Sequence, residues 1–101
     1  MIDFDLINRA ALVNFRAVLA RLLPDGRAIG TEWVARNPRR DDRRAGSFKV
    51  NLRSGRWSDF ATGDRGGDPV SLVAYVEGVR QLQAARLLGE MLGISEVANG
   101  R

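Results

Sequence analysis

The residues best equipped for chemistry lie between Arg36 and Arg56. Eight of them are basic (Arg36, Arg39, Arg40, Arg43, Arg44, Lys49, Arg53, Arg56) and two, Asp41 and Asp42, are acidic. The segment carries +6 in a chain whose net charge is +4, so the remainder sums to −2. Charge segregated in this way implies a polyanionic partner, because phosphates collect in a concentrated positive field. Of the 16 basic residues, 15 are Arg. The planar guanidinium grips phosphate oxygens two at a time and stacks on bases, which an ammonium cannot do. Trp33 and Trp57 border the segment. Each serves either as a core anchor or as a flat platform for a base.

Composition excludes other chemistries. The chain has no His and no Cys. That removes a thiol nucleophile, an imidazole base, disulfides and any His/Cys zinc site. The acidic residues show no cluster with the spacing of a calcium or magnesium site. No nucleophile–base pair stands out, so neither catalysis nor a cofactor is expected. No apolar run reaches the ~20 residues of a membrane span. The N-terminus, MIDFDLINR, lacks the basic start of a signal peptide. A cytoplasmic protein without a membrane partner is expected.

The elements that must position these residues can be read in order. The chain has 101 residues, 45% of them hydrophobic, which suits one small domain. Residues 1–26 read as an amphipathic helix, over 3–23, and a turn. Apolar Phe4, Ile7, Ala11, Leu12, Phe15, Val18, Leu19 and Leu22 follow the helical period, with Phe4 and Phe15 expected in the core. Asp3 or Asp5 can cap the helix, and Pro24 ends it. A strand is expected at 31–35, after a bend at Gly30. Residues 37–46, without periodicity and highly charged, read as a phosphate-gripping loop. Asp68 as N-cap and Pro69 at the first position start a helix over 69–77 that Gly78 ends. A last helix spans about 80–92, burying Leu82, Ala85, Leu88, Met91 and Leu92, and 95–101 form a tail expected to fray.

Between these lies a hairpin over 47–61, with Phe48, Val50 and Leu52 alternating against polar residues. Its register depends on loop length. A two-residue Ser54-Gly55 loop places Trp57 opposite Leu52 on the apolar face. A three-residue loop from Arg53 places Phe60 opposite Phe48 inside and leaves Trp57 outside, beside Asn51 and Lys49. The second is preferred here, because it pairs two phenylalanines.

The motifs of this region resemble those of the zinc-binding domain of bacterial DnaG-type DNA primases. That family shows Cys-Pro-x-His, a Ser-Phe-x-Val strand, a hairpin with a second Cys pair, and a Gly-Gly-Asp turn into a helix. Here Asn37-Pro38-Arg39-Arg40 stands at the first metal pair, and Ser47-Phe48-Lys49-Val50 matches the strand. Trp57 to Gly63 falls on the second pair, Gly66-Gly67-Asp68 on the turn, and Ala84 to Gly93 on the closing helix. The resemblance covers about two thirds of the chain, and it departs at the metal. The four ligand positions hold Asn37, Arg40, Asp59 and Thr62, which form no zinc site. The chain is similar to zinc-free versions found in primase-like proteins of phages, plasmids and integrated elements.

The resemblance implies an α+β fold: residues 27–94 as a small antiparallel zinc-ribbon-like sheet of about three strands or more, without zinc. An N-terminal helix and two C-terminal helices pack on it. An Arg40–Asp59 ion pair is expected across the old metal position, with Asn37 and Thr62 bonding the knuckle backbone. The implied function is non-catalytic binding of single-stranded template DNA in a primase-type replication protein. A primase catalytic domain, a polymerase or a replicative helicase would be the protein partner. The candidate contacts are Arg36, Arg39, Arg40, Arg43, Arg44, Lys49, Arg53, Arg56, Trp57 and Trp33. The alternative is a protein-docking module that never touches DNA.

Overall fold

The computed structural model describes residues 2–39 and 46–94. Arg40, Arg43 and Arg44, and with them the expected Arg40–Asp59 pair, lie outside the described residues, as does the tail. The fold is α+β, with four helices and a five-stranded antiparallel sheet. In chain order these are α1 (Phe4–Val13), α2 (Phe15–Leu22), β1 (Arg27–Ile29), β2 (Glu32–Ala35) and β3 (Phe48–Asn51). There follow β4 (Trp57–Asp59), β5 (Arg65–Gly66), α3 (Pro69–Glu77) and α4 (Gln81–Met91). The strands lie side by side in sequence order, a simple meander.

The expected N-terminal helix is two helices. Asp3 caps α1, its carboxylate accepting from the Leu6 N–H at 3.0 Å. Asn14 then leaves helical geometry (φ −138°, ψ 55°), and its carbonyl accepts from Ala17 and Val18 to start α2. Asn competes well for such junctions because its backbone readily leaves the helical well. The apolar stripe runs across the break, so periodicity alone does not disclose it. Phe15 is buried as expected, but Phe4 is 39% exposed.

Two strands were not anticipated. β1 pairs with β2 through a two-residue Gly30-Thr31 turn, with Ile29 opposite Glu32. Gly30 holds φ +61°, the left-handed conformation such a turn demands. β5 is only two residues long and is held by pairing with β4. Strands this short carry no readable alternation.

Helix α3 forms as its sequence implies. Asp68 accepts from the Ser71 N–H at 2.8 Å, Pro69 occupies the first turn, and Gly78 closes the other end. Asn8 of α1 accepts a further N–H, that of Val70, at 2.9 Å. Helix α4 buries Leu88 together with the small residues Ala84, Ala85 and Gly89, which let α1 and α3 approach closely. Leu82, expected in that stripe, is 48% exposed.

Helices and sheet share one apolar core. It joins Ile7, Phe15, Leu19, Phe48, Val50, Val73 and Leu88. Only one face of the sheet faces this core. On the other face the residues of β2 to β4 are half-buried, apart from the buried Val34, and Arg27, Ile29 and Arg65 of the two edge strands are exposed.

Candidate nucleic-acid interface

The observed hairpin register decides what each face of the sheet presents. Val50 pairs with Trp57, Lys49 with Ser58 and Phe48 with Asp59. The connection is a four-residue loop, Leu52 to Gly55. Asn51 Oδ1 holds it by accepting from the Arg53 and Ser54 N–H groups, both at 2.9 Å. Gly55 turns the chain with φ +79°, and its backbone lies against Pro69, where a Cβ would clash. The preferred three-residue loop is therefore corrected. The extra residue inverts the faces, placing Trp57 inside and Phe60 outside.

Both tryptophans are core residues, which corrects their candidacy as stacking platforms. Trp57 is 6% exposed and Trp33 8%. The Trp57 indole donates to Ser71 Oγ at 3.0 Å, and its ring stacks on Tyr75 with centroids 4.6 Å apart. Trp33 donates to the Leu23 carbonyl at 3.2 Å. Each ring lies where the Cβ of a residue larger than glycine would stand, at Gly66 for Trp57 and at Gly26 for Trp33. A buried indole with its N–H satisfied and a glycine seat has no free face for a base.

The open face carries a different set. Register pairs Arg27 with Val34, Val34 with Lys49, Lys49 with Ser58 and Ser58 with Arg65. Paired residues share a face, so this row places Arg27, Lys49 and Arg65 on one side of the sheet. Arg56 and Ser54 flank it, and Glu32 and Asn51 form the adjacent cross-strand pair. Glu32, Lys49, Asn51, Arg56, Ser58 and Arg65 line an open groove of about 670 Å³. At its side Phe60 is 72% exposed, with Lys49 Nζ 5.4 Å from the ring centroid. A cation over an exposed ring is a weak attraction by itself, but it brings charge and a π-face together.

The other candidate arginines divide. Arg53 is exposed in the hairpin loop. Arg36 is drawn to Asp25, its Nε 3.6 Å from Oδ2, in a solvent-screened pair of little energetic weight. The Arg39 guanidinium lies over Gly78 at the C-terminus of α3, where a cation meets the negative end of the helix dipole. Arg39 thus faces the helical layer rather than the open sheet. Arg27, Arg65 and Phe60 were not among the sequence candidates. Phe60 follows from parity with Lys49 once the loop length is known, and the two arginines from strands β1 and β5.

At the positions where the resemblance places metal ligands there is a buried polar network. Asn37 is 1% exposed and Asp59 is fully buried. Asn37 Nδ2 donates to Asp59 Oδ2 at 2.7 Å and to the Tyr75 hydroxyl at 2.8 Å. The Tyr75 hydroxyl in turn donates to Asp64 Oδ2 at 2.7 Å. Asn37 Oδ1 accepts from the Arg39 N–H and Asp59 Oδ1 from the Ala61 N–H, both at 2.8 Å. Thr62 Oγ1 accepts from Asp64 N–H at 3.1 Å. Burial raises the Tyr75 pKa above its ordinary value. The bond donated to Asp64 and the nearby carboxylates act in the same direction, while the bond from Asn37 opposes them. The network ties β4, its following turn and α3 into one unit, the mechanical task a structural metal performs in a knuckle. Among the described residues no group of three or more His, Cys, Asp or Glu is placed to hold a metal ion.

No family model and no curated protein matches the chain. Among the described residues no helix is long and apolar enough to cross a membrane.

Proposed function

We propose that the chain is a non-catalytic module that binds single-stranded DNA on the open face of its sheet. The observation that carries this reading is the juxtaposition of Lys49, Arg56 and Arg65 around one groove with the exposed ring of Phe60 beside it. Cations along a groove track a phosphate backbone, and an exposed ring takes a base without regard to its identity. Duplex DNA keeps its bases stacked inside and offers no π-face to Phe60. Phe60 therefore supplies the stacking platform in place of the two buried tryptophans. Arg27 and Arg53 extend the positive surface, and Arg40, Arg43 and Arg44 add to the charge of the chain as a whole.

The resemblance of the 31–94 region to a primase zinc-binding domain supports a narrower version. In it, the module presents template DNA to a primase catalytic domain in the cytoplasm, within a replication protein of a mobile element. The Asn37–Asp59–Tyr75–Asp64 network stands in for the metal.

Fluorescence anisotropy with a labelled oligo-dT tests the reading. Binding should weaken with salt, log affinity falling by about 0.7 per phosphate contact for each unit of log salt. Lys49→Ala/Arg65→Ala should flatten that slope by about 1.4. Binding that ignores salt, or a double variant that binds as well as the wild type, overturns the proposal. A domain that binds no DNA but captures a replication polymerase or helicase would be a protein-docking module instead. A matched oligo-U run alongside decides between DNA and RNA.

A further inference from the structure

The groove on the open face contains one residue that a phosphate-binding surface does not need. Glu32 lies among Lys49, Arg56 and Arg65, and its carboxylate would repel the phosphates those cations attract. It is not there to hold the cations either. The ion pair found among the described residues is that of Arg36 with Asp25, and no hydrogen bond or ion pair engages the Glu32 carboxylate.

Directly across the strand pair from Glu32 is Asn51. The orientation of its amide is set, because Oδ1 accepts from the Arg53 and Ser54 N–H groups at the hairpin loop. The Nδ2 donor is the end left to interact, and both residues line the groove. Side by side they present one donor and two acceptor oxygens.

The geometry points to a guanine-reading site, in which Glu32 and Asn51 take the Watson–Crick edge of one unpaired guanine in the bound strand. This rests on the single-stranded DNA reading of the same face. Guanine offers an acceptor at O6 and two adjacent donors at N1 and N2, the complement of that pair. Cytosine offers a donor and two acceptors, adenine a donor and an acceptor, and thymine a donor between two acceptors. None of these places two neighbouring donors against a carboxylate. Unpaired bases are commonly read on this edge, which pairing hides in a duplex. Lys49, Arg56 and Arg65 would then take the flanking phosphates, and Phe60 a neighbouring base.

The test is anisotropy titration of the full chain with oligo-dT strands whose central residue is dG, inosine, dA, dC or dT. The dG strand should bind about tenfold tighter than the all-dT strand. Inosine, which lacks the N2 amine, should fall between them. Glu32→Gln should remove the dG preference while leaving all-dT affinity equal or tighter, since a negative charge leaves the groove. Asn51→Asp keeps the oxygen that the hairpin loop requires and removes the donor, so it should reduce the dG:dT ratio while the circular dichroism spectrum stays unchanged. Equal affinity for all five strands, or a preference that survives Glu32→Gln, overturns guanine reading and leaves single-strand binding standing. Failure to bind any strand overturns both.

Discussion

The two faces of the sheet are made from alternate residues of the same strands, yet they differ in kind. The inner face joins Trp33, Phe48, Val50 and Trp57, and Tyr75 of α3 completes an aromatic cluster around Phe48 and Trp57. The polar atoms there are paired: both indole N–H groups, the Tyr75 hydroxyl, and the Asn37 and Asp59 side chains. The outer face sets Lys49, Arg56 and Arg65 around a groove with an exposed Phe60 at its side, and Arg27 lies on the same face at the β1 edge. The difference teaches that an aromatic residue near a basic segment is no guide to binding until its face is known. Trp57 adjoins Arg56 in sequence and serves packing, whereas Phe60 serves the surface.

The comparison can be broken most forcefully at Trp57. Trp57→Ala should cost roughly 3–5 kcal/mol of stability, the range for emptying a large aromatic site. In a small domain with a total stability of about 5–15 kcal/mol this approaches unfolding. A urea melt would show it. An unchanged midpoint would mean that Trp57 belongs to the outer face after all. Phe60→Ala is the mirror experiment. Stability should move by less than about 0.5 kcal/mol, as for other surface changes. Affinity for single-stranded DNA should fall by about 1–3 kcal/mol, the value of one stacked base. Loss of stability without loss of binding would reverse the assignment of the two faces.

Tyr75 sharpens the comparison from within the inner face. Tyr75→Phe removes a hydroxyl that both accepts from Asn37 and donates to Asp64, so about 1–2 kcal/mol should be lost in thermal or urea melts. It is the one tyrosine of the chain, so tyrosinate absorbance reports it alone. Its folded pKa lies above the ordinary 10.0, so the folded state resists ionisation more than the unfolded chain does. The associated stability is complete below about pH 10 and should decline as pH rises through the folded value. Tyr75→Phe should lack that alkaline decline. The smallest effect belongs to metal removal. With Asn37, Asp59, Tyr75 and Asp64 bonded to one another, added chelator should leave the melting temperature unchanged. A clear fall would reveal a metal contribution at the knuckle.

Several parts of the fold follow from local rules alone. Asp68, Pro69 and Gly78 bound α3 through capping and fixed backbone angles, which act within a few residues. The alternation of Phe48 and Val50 marked β3, and the charge of the 36–56 segment was legible as a concentration of positive residues. Tertiary structure decided everything that turns on which face a residue meets. The hairpin register rested on an Asn51 side chain closing a four-residue loop, and a slip of one residue exchanges Trp57 for Phe60. Strands β1 and β5 are too short to signal themselves and exist because a neighbour pairs with them, so Arg27 and Arg65 became visible only in the sheet. Asn37 and Asp59 look like ordinary loop polars until they meet 22 positions apart, buried against Tyr75. Hydrogen bonding of that kind gains strength from its shielding from water, and burial is a property of the folded chain that no local stretch of sequence carries.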